Sequence, residues 1–252
     1  MTEIELLIDF HVDAERQGPG SDEDTKKALG FIDINPEKSL KIADIGCGSG
    51  AQTLALAKNL KGSITAIDLF ADFLVKLNER AKILNIENKI HTLVKSMEEL
   101  PFNKEEYDII WSEGAIYNIG FESGLKNWKQ YLKTGGYIAV SEITWKTKNR
   151  PKEIEEHWKN EYPEIDTASG KMKILEDNGF SPVGFFFLPE KSWIENYYSP
   201  MEKRFDDFLQ KHNNSDAAKA IVEGEKHEIY LYKKYNDFFS YGFYVAKKIT
   251  AE

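Results

Sequence analysis

The sequence predicts an α/β fold in three layers, a mostly parallel sheet with helices on both faces. Two observations carry this. Between residues 38 and 145, short apolar runs alternate five times with segments of helical period, joined by short connections. The first of these runs also ends in a glycine-rich turn, Gly46-Cys47-Gly48-Ser49-Gly50, which opens straight into a helical segment. Ligands of such sheets bind at the carboxyl ends of the strands.

The elements follow in order. SLKIAD (39–44) reads as the first strand. AQTLALAKNL follows, with Leu54, Leu56, Ala57 and Leu60 at near-helical spacing. SITAID (63–68) is a β-branched strand, and Phe73, Leu74, Leu77, Ala81 and Leu84 then share a helical face. KIHTLV (89–94) and YDIIWS (107–112) read as the third and fourth strands. FESGLKNWKQYLK (121–133) reads as a helix stopped by Gly135-Gly136, before a fifth strand, YIAVSE (137–142). Beyond residue 145 the pattern loosens. Helical segments surround HWKN and KMKILEDNG, PVGFFFLP (182–189) is a strand bounded by prolines, and YGFYVAKK (241–248) alternates like a final strand.

Composition narrows the function. The 252 residues include 33 basic and 42 acidic side chains, a formal charge of −9, which disfavours nucleic acid as the main partner. A hydrophobic content of 41% excludes a disordered chain. No apolar run is long enough to cross a membrane. The N-terminus lacks the pattern of an export signal and Cys47 is the only cysteine, so the cytoplasm is the expected compartment. The five histidines show no ligand spacing, so no metal is expected. Residues 180–252 hold 17 of the 32 aromatics. They read first as core, although some are candidates for an apolar substrate pocket, and a homodimer through this end is compatible with the composition.

The glycine turn is ambiguous taken alone. Gly46, Gly48 and Ala51 satisfy a dinucleotide fingerprint, and Asp68 at the end of the second strand suits the ribose of any adenosine cofactor. Asp44 tilts the balance. A carboxylate two residues before the first glycine repels a pyrophosphate and attracts a ligand bearing ammonium and sulfonium groups.

Five segments in order, ADIGCGSG, AIDLF, SMEELPF, YDIIWSEGAIYN and LKTGGYIAVSE, resemble the successive motifs of class I S-adenosylmethionine-dependent methyltransferases. The nearest flavour is the small-molecule group of ubiquinone and menaquinone biosynthesis. The resemblance covers residues 38–145. It implies a Rossmann-like methyltransferase fold with a seven-stranded, mostly parallel sheet and an antiparallel last strand. It implies a single domain over residues 1–252: an N-terminal helical lid (1–37), a cofactor-binding half (38–145), and a part that completes the sheet and carries substrate-side helices (146–252). The cofactor is then S-adenosyl-L-methionine, the product S-adenosyl-L-homocysteine and the partner a small-molecule acceptor.

Residue by residue, the resemblance lays Asp44, Gly46, Cys47 and Gly48 along the methionine moiety, Asp68 on the ribose hydroxyls and Leu69 beside the adenine. Ser96 and Met97 replace an acidic residue and a small one, and meet the adenine as a hydrogen-bonding hydroxyl and a packing thioether. Glu113 follows the fourth strand near the reacting methyl. The bend Arg16-Gln17-Gly18-Pro19-Gly20-Ser21 precedes a helix, and Arg16 or Gln17 is expected to reach the cofactor carboxylate or to close over the substrate. Cys47 has no histidine near it in sequence and is not expected to act as a nucleophile. Glu113, Tyr117 and His157 are candidate bases, with Glu142 and His11 behind them. Tyr117, Trp145, Trp193 and Tyr197 are candidate substrate-pocket aromatics. Two rival functions stay open on the residues alone: an NAD(P)-dependent oxidoreductase, and a non-catalytic binding module on the same fold.

Overall fold

The computed structural model describes residues 1–35 and 37–249. Helices α1 (Glu3–His11) and α2 (Asp22–Leu29) precede the sheet. The alternating body runs β1 (Leu40–Ile45), α3 (Ala51–Asn59), β2 (Gly62–Asp68), α4 (Ala71–Ile83), β3 (Ile90–Val94), β4 (Tyr107–Glu113), α5 (Phe121–Trp128) and β5 (Leu132–Trp145). The remainder runs α6 (Lys152–Glu161), β6 (Asp166–Thr167), α7 (Ala168–Asp177), β7 (Phe180–Phe187), α8 (Glu190–Trp193), a π-helical turn over Ile194–Tyr198, α9 (Ser199–Glu202), α10 (Phe205–Lys211), α11 (Asp216–Tyr235) and β8 (Phe239–Lys248).

The strand order is β3-β2-β1-β4-β5-β8-β7, with two-residue β6 paired to β5 off this path. The pairs among β1 to β5 are parallel, and β8 runs antiparallel between β5 and β7. The expected seven strands are thus present with their reversed last member, and β6 is an addition. The order reverses direction between β1 and β4, which opens a crevice above the carboxyl ends of those strands. Continuous apolar runs follow from cover on both faces: Ile42, Ala43 and Ile45 of β1 and Ile109, Ile110 and Trp111 of β4 are all buried. Pro182 sits in β7, an edge strand, where a missing N–H costs no central ladder bond.

Two details depart from the sequence reading. Gly135 and Gly136 do not terminate a helix but lie inside β5, which begins at Leu132. A Cβ at Gly136 would stand 2.8 Å from the Asp108 carbonyl, so the strand needs glycine there to approach β4. The N-terminal segment is more than a cover. Leu6, Phe10 and Ala28 belong to the largest buried cluster, with Phe10 packed on Phe205 and Phe208 of α10.

The aromatic-rich end is consumed by the chain's own core. Trp193 stacks on Tyr232 at 4.4 Å and its indole N–H donates to Ser240 Oγ at 2.9 Å. Trp145 and Phe239 pack edge to face beside them.

Candidate active site

A cavity of about 610 Å³ opens at the carboxyl ends of β1, β2 and β4, under α1 and the bend that follows it. Its size suits a small-molecule cofactor. Arg16, Gln17, Gly18, Gly46, Cys47, Gly48, Asp68, Leu69, Ser96, Met97, Glu113 and Tyr117 all line it. The sequence separates these residues by up to a hundred positions, and the fold brings them to one wall.

The glycine turn forms the floor. Gly46 has φ of +72°, and a Cβ there would lie 2.4 Å from the Ala115 Cβ. Gly48 has φ of +55° and a Cβ would lie 2.3 Å from Gln17 Oε1. Neither position tolerates a side chain without movement. Asp68 locks the turn: its carboxylate accepts from the Gly48 N–H at 2.8 Å and the Phe70 N–H at 3.0 Å. Burial raises its carboxyl, against the lowering by those backbone donors.

The bend after α1 clasps this floor. The Gln17 side-chain amide donates to Ser49 Oγ at 2.9 Å, and its carbonyl accepts from the Ser49 N–H at 2.8 Å. Arg80 of α4 donates to Ser49 Oγ and to the Ala14 carbonyl, tying the same bend to the sheet. Arg16 reaches Glu113 Oε2 at 3.1 Å, and both side chains are buried. Glu113 also accepts from Thr25 Oγ1 at 2.7 Å and the Trp111 indole at 2.9 Å. Burial raises the Glu113 carboxyl, and the Arg16 guanidinium opposes the rise.

Asp44 is the exception among the expected cofactor contacts. It does not line the cavity. Its side chain turns away into α3, where Thr53 Oγ1 donates at 2.5 Å and Gln52 Nε2 at 3.4 Å. Burial pushes its carboxyl up to about 7, and the charges of Glu113 and Asp68 add to the rise. Thr53 and Gln52 escaped the sequence reading. Their signal was available: a hydroxyl and an amide on the first turn of the helix that follows the strand bearing Asp44.

The other candidates separate cleanly. Ser96 caps its own loop by accepting from the Glu98 N–H at 3.2 Å, while still bordering the cavity. Burial holds the Cys47 thiol well above its ordinary range, which disfavours the thiolate. His157 lies on α6 beside Trp158 and His227, away from the cavity, so the structure removes it as a base. Glu142 is fully buried, with Lys171 as its ion-pair partner and the Tyr162 hydroxyl at 3.1 Å. Trp145, Trp193 and Tyr197 do not line the cavity, and all three belong to the buried core. Aromatics buried in a core and aromatics lining a pocket look alike in sequence, which is why they were candidates; the ring of Tyr197 is core, while its hydroxyl has no protein partner among the described residues. His11, by contrast, does border the cavity.

No group of histidine, cysteine, aspartate or glutamate side chains fit to hold a metal occurs among the described residues. No helix among them is long and apolar enough to cross a membrane.

Residues 42–136 match a family model described as a methyltransferase domain. Phosphoethanolamine N-methyltransferase 1 of Arabidopsis thaliana is 25% identical over 236 residues, covering 91% of this chain, which spans only 46% of that protein. A demethylmenaquinone methyltransferase of Staphylococcus epidermidis is 25% identical over 181 residues, 70% of this chain and 72% of the relative. The solved structure of a SAM-dependent methyltransferase from Geobacter sulfurreducens, in complex with S-adenosyl-L-homocysteine, superposes with a TM-score of 0.83. It is 15% identical and covers 96% of this chain and 97% of its own, so that likeness speaks for the fold.

Proposed function

We propose, from the methyltransferase-domain match over residues 42–136, that this chain is a class I S-adenosylmethionine-dependent methyltransferase that transfers a methyl group to a small-molecule acceptor. Two carboxylates on the cavity wall, with a third buried behind it, carry this reading. Asp44, Asp68 and Glu113 are gathered at the carboxyl ends of three neighbouring strands, and burial raises all three carboxyls. Among the described residues, only Arg16 answers them as an ion-pair partner within the site. A ligand with an ammonium and a sulfonium relieves that excess, whereas a pyrophosphate aggravates it. The residues present therefore fit the cofactor, and they disfavour a dinucleotide.

Bound there, S-adenosylmethionine supplies an electrophilic methyl group. The protein's residues bind and orient. Asp68 presents its carboxylate to the ribose hydroxyls from a position fixed by the Gly48 and Phe70 N–H groups. Leu69, Phe70 and Met97 offer apolar surface for the adenine. Gly46 and Gly48 bring backbone close to the methionine end, and Arg16 and Gln17 close over it from the N-terminal bend. Asp44 acts from behind the floor, through the field of its carboxylate. Glu113, held by three donors, marks the place where the acceptor meets the methyl. Alignment and exclusion of water then do most of the catalytic work.

The relatives' names point to amines and to quinone precursors as acceptors of those proteins, which supports a small acceptor here. The lone cysteine supports a reducing compartment such as the cytoplasm. Incubation with methyl-labelled S-adenosylmethionine and fractionated small-molecule pools tests the proposal. Label in a small acceptor supports it. Label in none of the pools, with no binding of S-adenosylmethionine, refutes it.

A further inference from the structure

Behind two cavity residues, His11 and Gly114, lies a polar cluster that the cofactor reading does not use. Two carboxylates one turn apart on α11, Glu225 and Glu228, point into it. Glu225 reaches His11 Nε2 at 3.4 Å. Glu228 accepts from the Tyr198 hydroxyl at 2.8 Å and has no cationic partner among the described residues. Tyr197 packs on Tyr198 with ring centroids 5.2 Å apart. Tyr241 lies against Gly114, where a Cβ would meet its ring at 2.9 Å and its hydroxyl at 3.7 Å.

The cluster is unfinished. Tyr197 is 9% exposed, its hydroxyl lies in the field of Glu228 and Glu225, and it has no hydrogen-bond partner among the described residues. The Tyr241 hydroxyl has none there either. Glu225 Oε2 and His11 Nδ1 are buried and unpartnered. Arg204 lies within electrostatic reach of Tyr197 and Glu225 and has its own Nε buried without a partner, but makes no ion pair with either carboxylate. Glu225 Oε2, buried in this state, is costly, while the Tyr197 and Tyr241 hydroxyls and the second Glu228 oxygen stay open to a ligand, so a donor-rich cation would satisfy the group together. Neutral sugars or phenols would satisfy the hydroxyls but not the charge, and an anion would meet Glu228.

We infer that this cluster is the acceptor-binding end of the site, and that it takes the ammonium group of an amine, held by Glu228 with the Tyr197 and Tyr241 hydroxyls as further acceptors. The inference rests on the methyl-transfer reading, since it places the amine beyond Gly114 and Tyr117 from the cofactor floor. Burial pushes the Glu228 carboxyl up to about 7, with Glu225 adding to the rise, as expected of a carboxylate lacking its cation. An ammonium in the cluster would draw it down again.

Calorimetry on the full chain saturated with S-adenosylhomocysteine tests this, with ethanolamine and N,N-dimethylethanolamine as probes and 1-propanol and 3-methyl-1-butanol as their neutral counterparts. The amines should bind and the alcohols should not. Glu228→Gln should weaken amine binding by about tenfold or more, the loss expected of a charge-assisted hydrogen bond, and leave S-adenosylhomocysteine binding unchanged. Tyr197→Phe, which removes only the unpartnered hydroxyl, should weaken amine binding by a smaller factor. Equal binding of amines and alcohols, or full amine binding by both variants, overturns the inference while the methyl-transfer reading stands. Failure of S-adenosylhomocysteine itself to bind overturns the reading beneath it.

Discussion

Arg16 Nη1 donates to Glu113 Oε2 across 3.1 Å, joining the N-terminal bend to the end of β4 with both side chains buried. The pair shows how the lid is built. Arg16 also holds Asp22 at 3.1 Å, at the start of α2, while Glu113 collects Thr25 from that same helix. One carboxylate thus gathers two N-terminal elements onto the strand end where the chemistry is placed.

Arg16→Ala should leave Glu113 buried without its cation. We expect a loss of about 3 kcal/mol in urea unfolding, the scale for breaking one side of a buried pair, moderated by the remaining Thr25 and Trp111 donors. A loss below about 1 kcal/mol, the scale of an exposed pair, would mean that Arg16 does not hold the lid.

Asp68→Ala should weaken S-adenosylhomocysteine binding by roughly 1–3 kcal/mol, through loss of the ribose contact and of the two N–H bonds that shape the glycine turn. Titration calorimetry reads this directly. Unchanged affinity would remove Asp68 from the ribose role.

Asp44 gives a pH signature. Its carboxyl is raised from 3.8 to about 7, so between those values the folded chain keeps a proton that the unfolded chain has lost. Stability contributed by this group is full below about pH 4 and drains away as pH rises towards 7. Glu142 and Glu228, also raised to about 7, act in the same direction. The unliganded protein should therefore lose stability from pH 5.5 to 7, and Asp44→Asn should lose less. Denaturant unfolding at the two pH values checks this; an equal slope in the variant would contradict the assignment.

Trp193 separates core from substrate pocket. It is 1% exposed, stacked on Tyr232 and hydrogen-bonded to Ser240. Trp193→Ala should cost about 3–5 kcal/mol of stability. Trp193→Phe, milder in volume, should leave S-adenosylhomocysteine affinity unchanged in calorimetry. A weakened affinity in that variant would return Trp193 to the binding site.

Much of this was legible in the sequence, for local reasons. Period and turn chemistry are short-range signals, so β1 to β5, the glycine turn and the acidic ends of β2 and β4 could be read from residue spacing. The alternation of YGFYVAKK marked β8 as a strand, but its antiparallel direction came with the resemblance. Tertiary contacts decided what spacing could not show. Gly135 and Gly136 look like a helix stop until Asp108 on the neighbouring strand is seen to need the room. Asp44 looks like a cavity residue until Thr53 turns it inward. His157 and His11 are equally anonymous in sequence, yet α6 carries one away from the cavity and α1 brings the other to its wall.

The cavity at the ends of β1, β2 and β4 should hold an adenosyl cofactor with a positively charged tail. Titration calorimetry of the full chain with S-adenosylmethionine, and separately with NAD, tests it most directly. The account predicts saturable one-to-one binding of S-adenosylmethionine, weakened by Asp68→Ala, and no binding of NAD. Binding of NAD without binding of S-adenosylmethionine would contradict it.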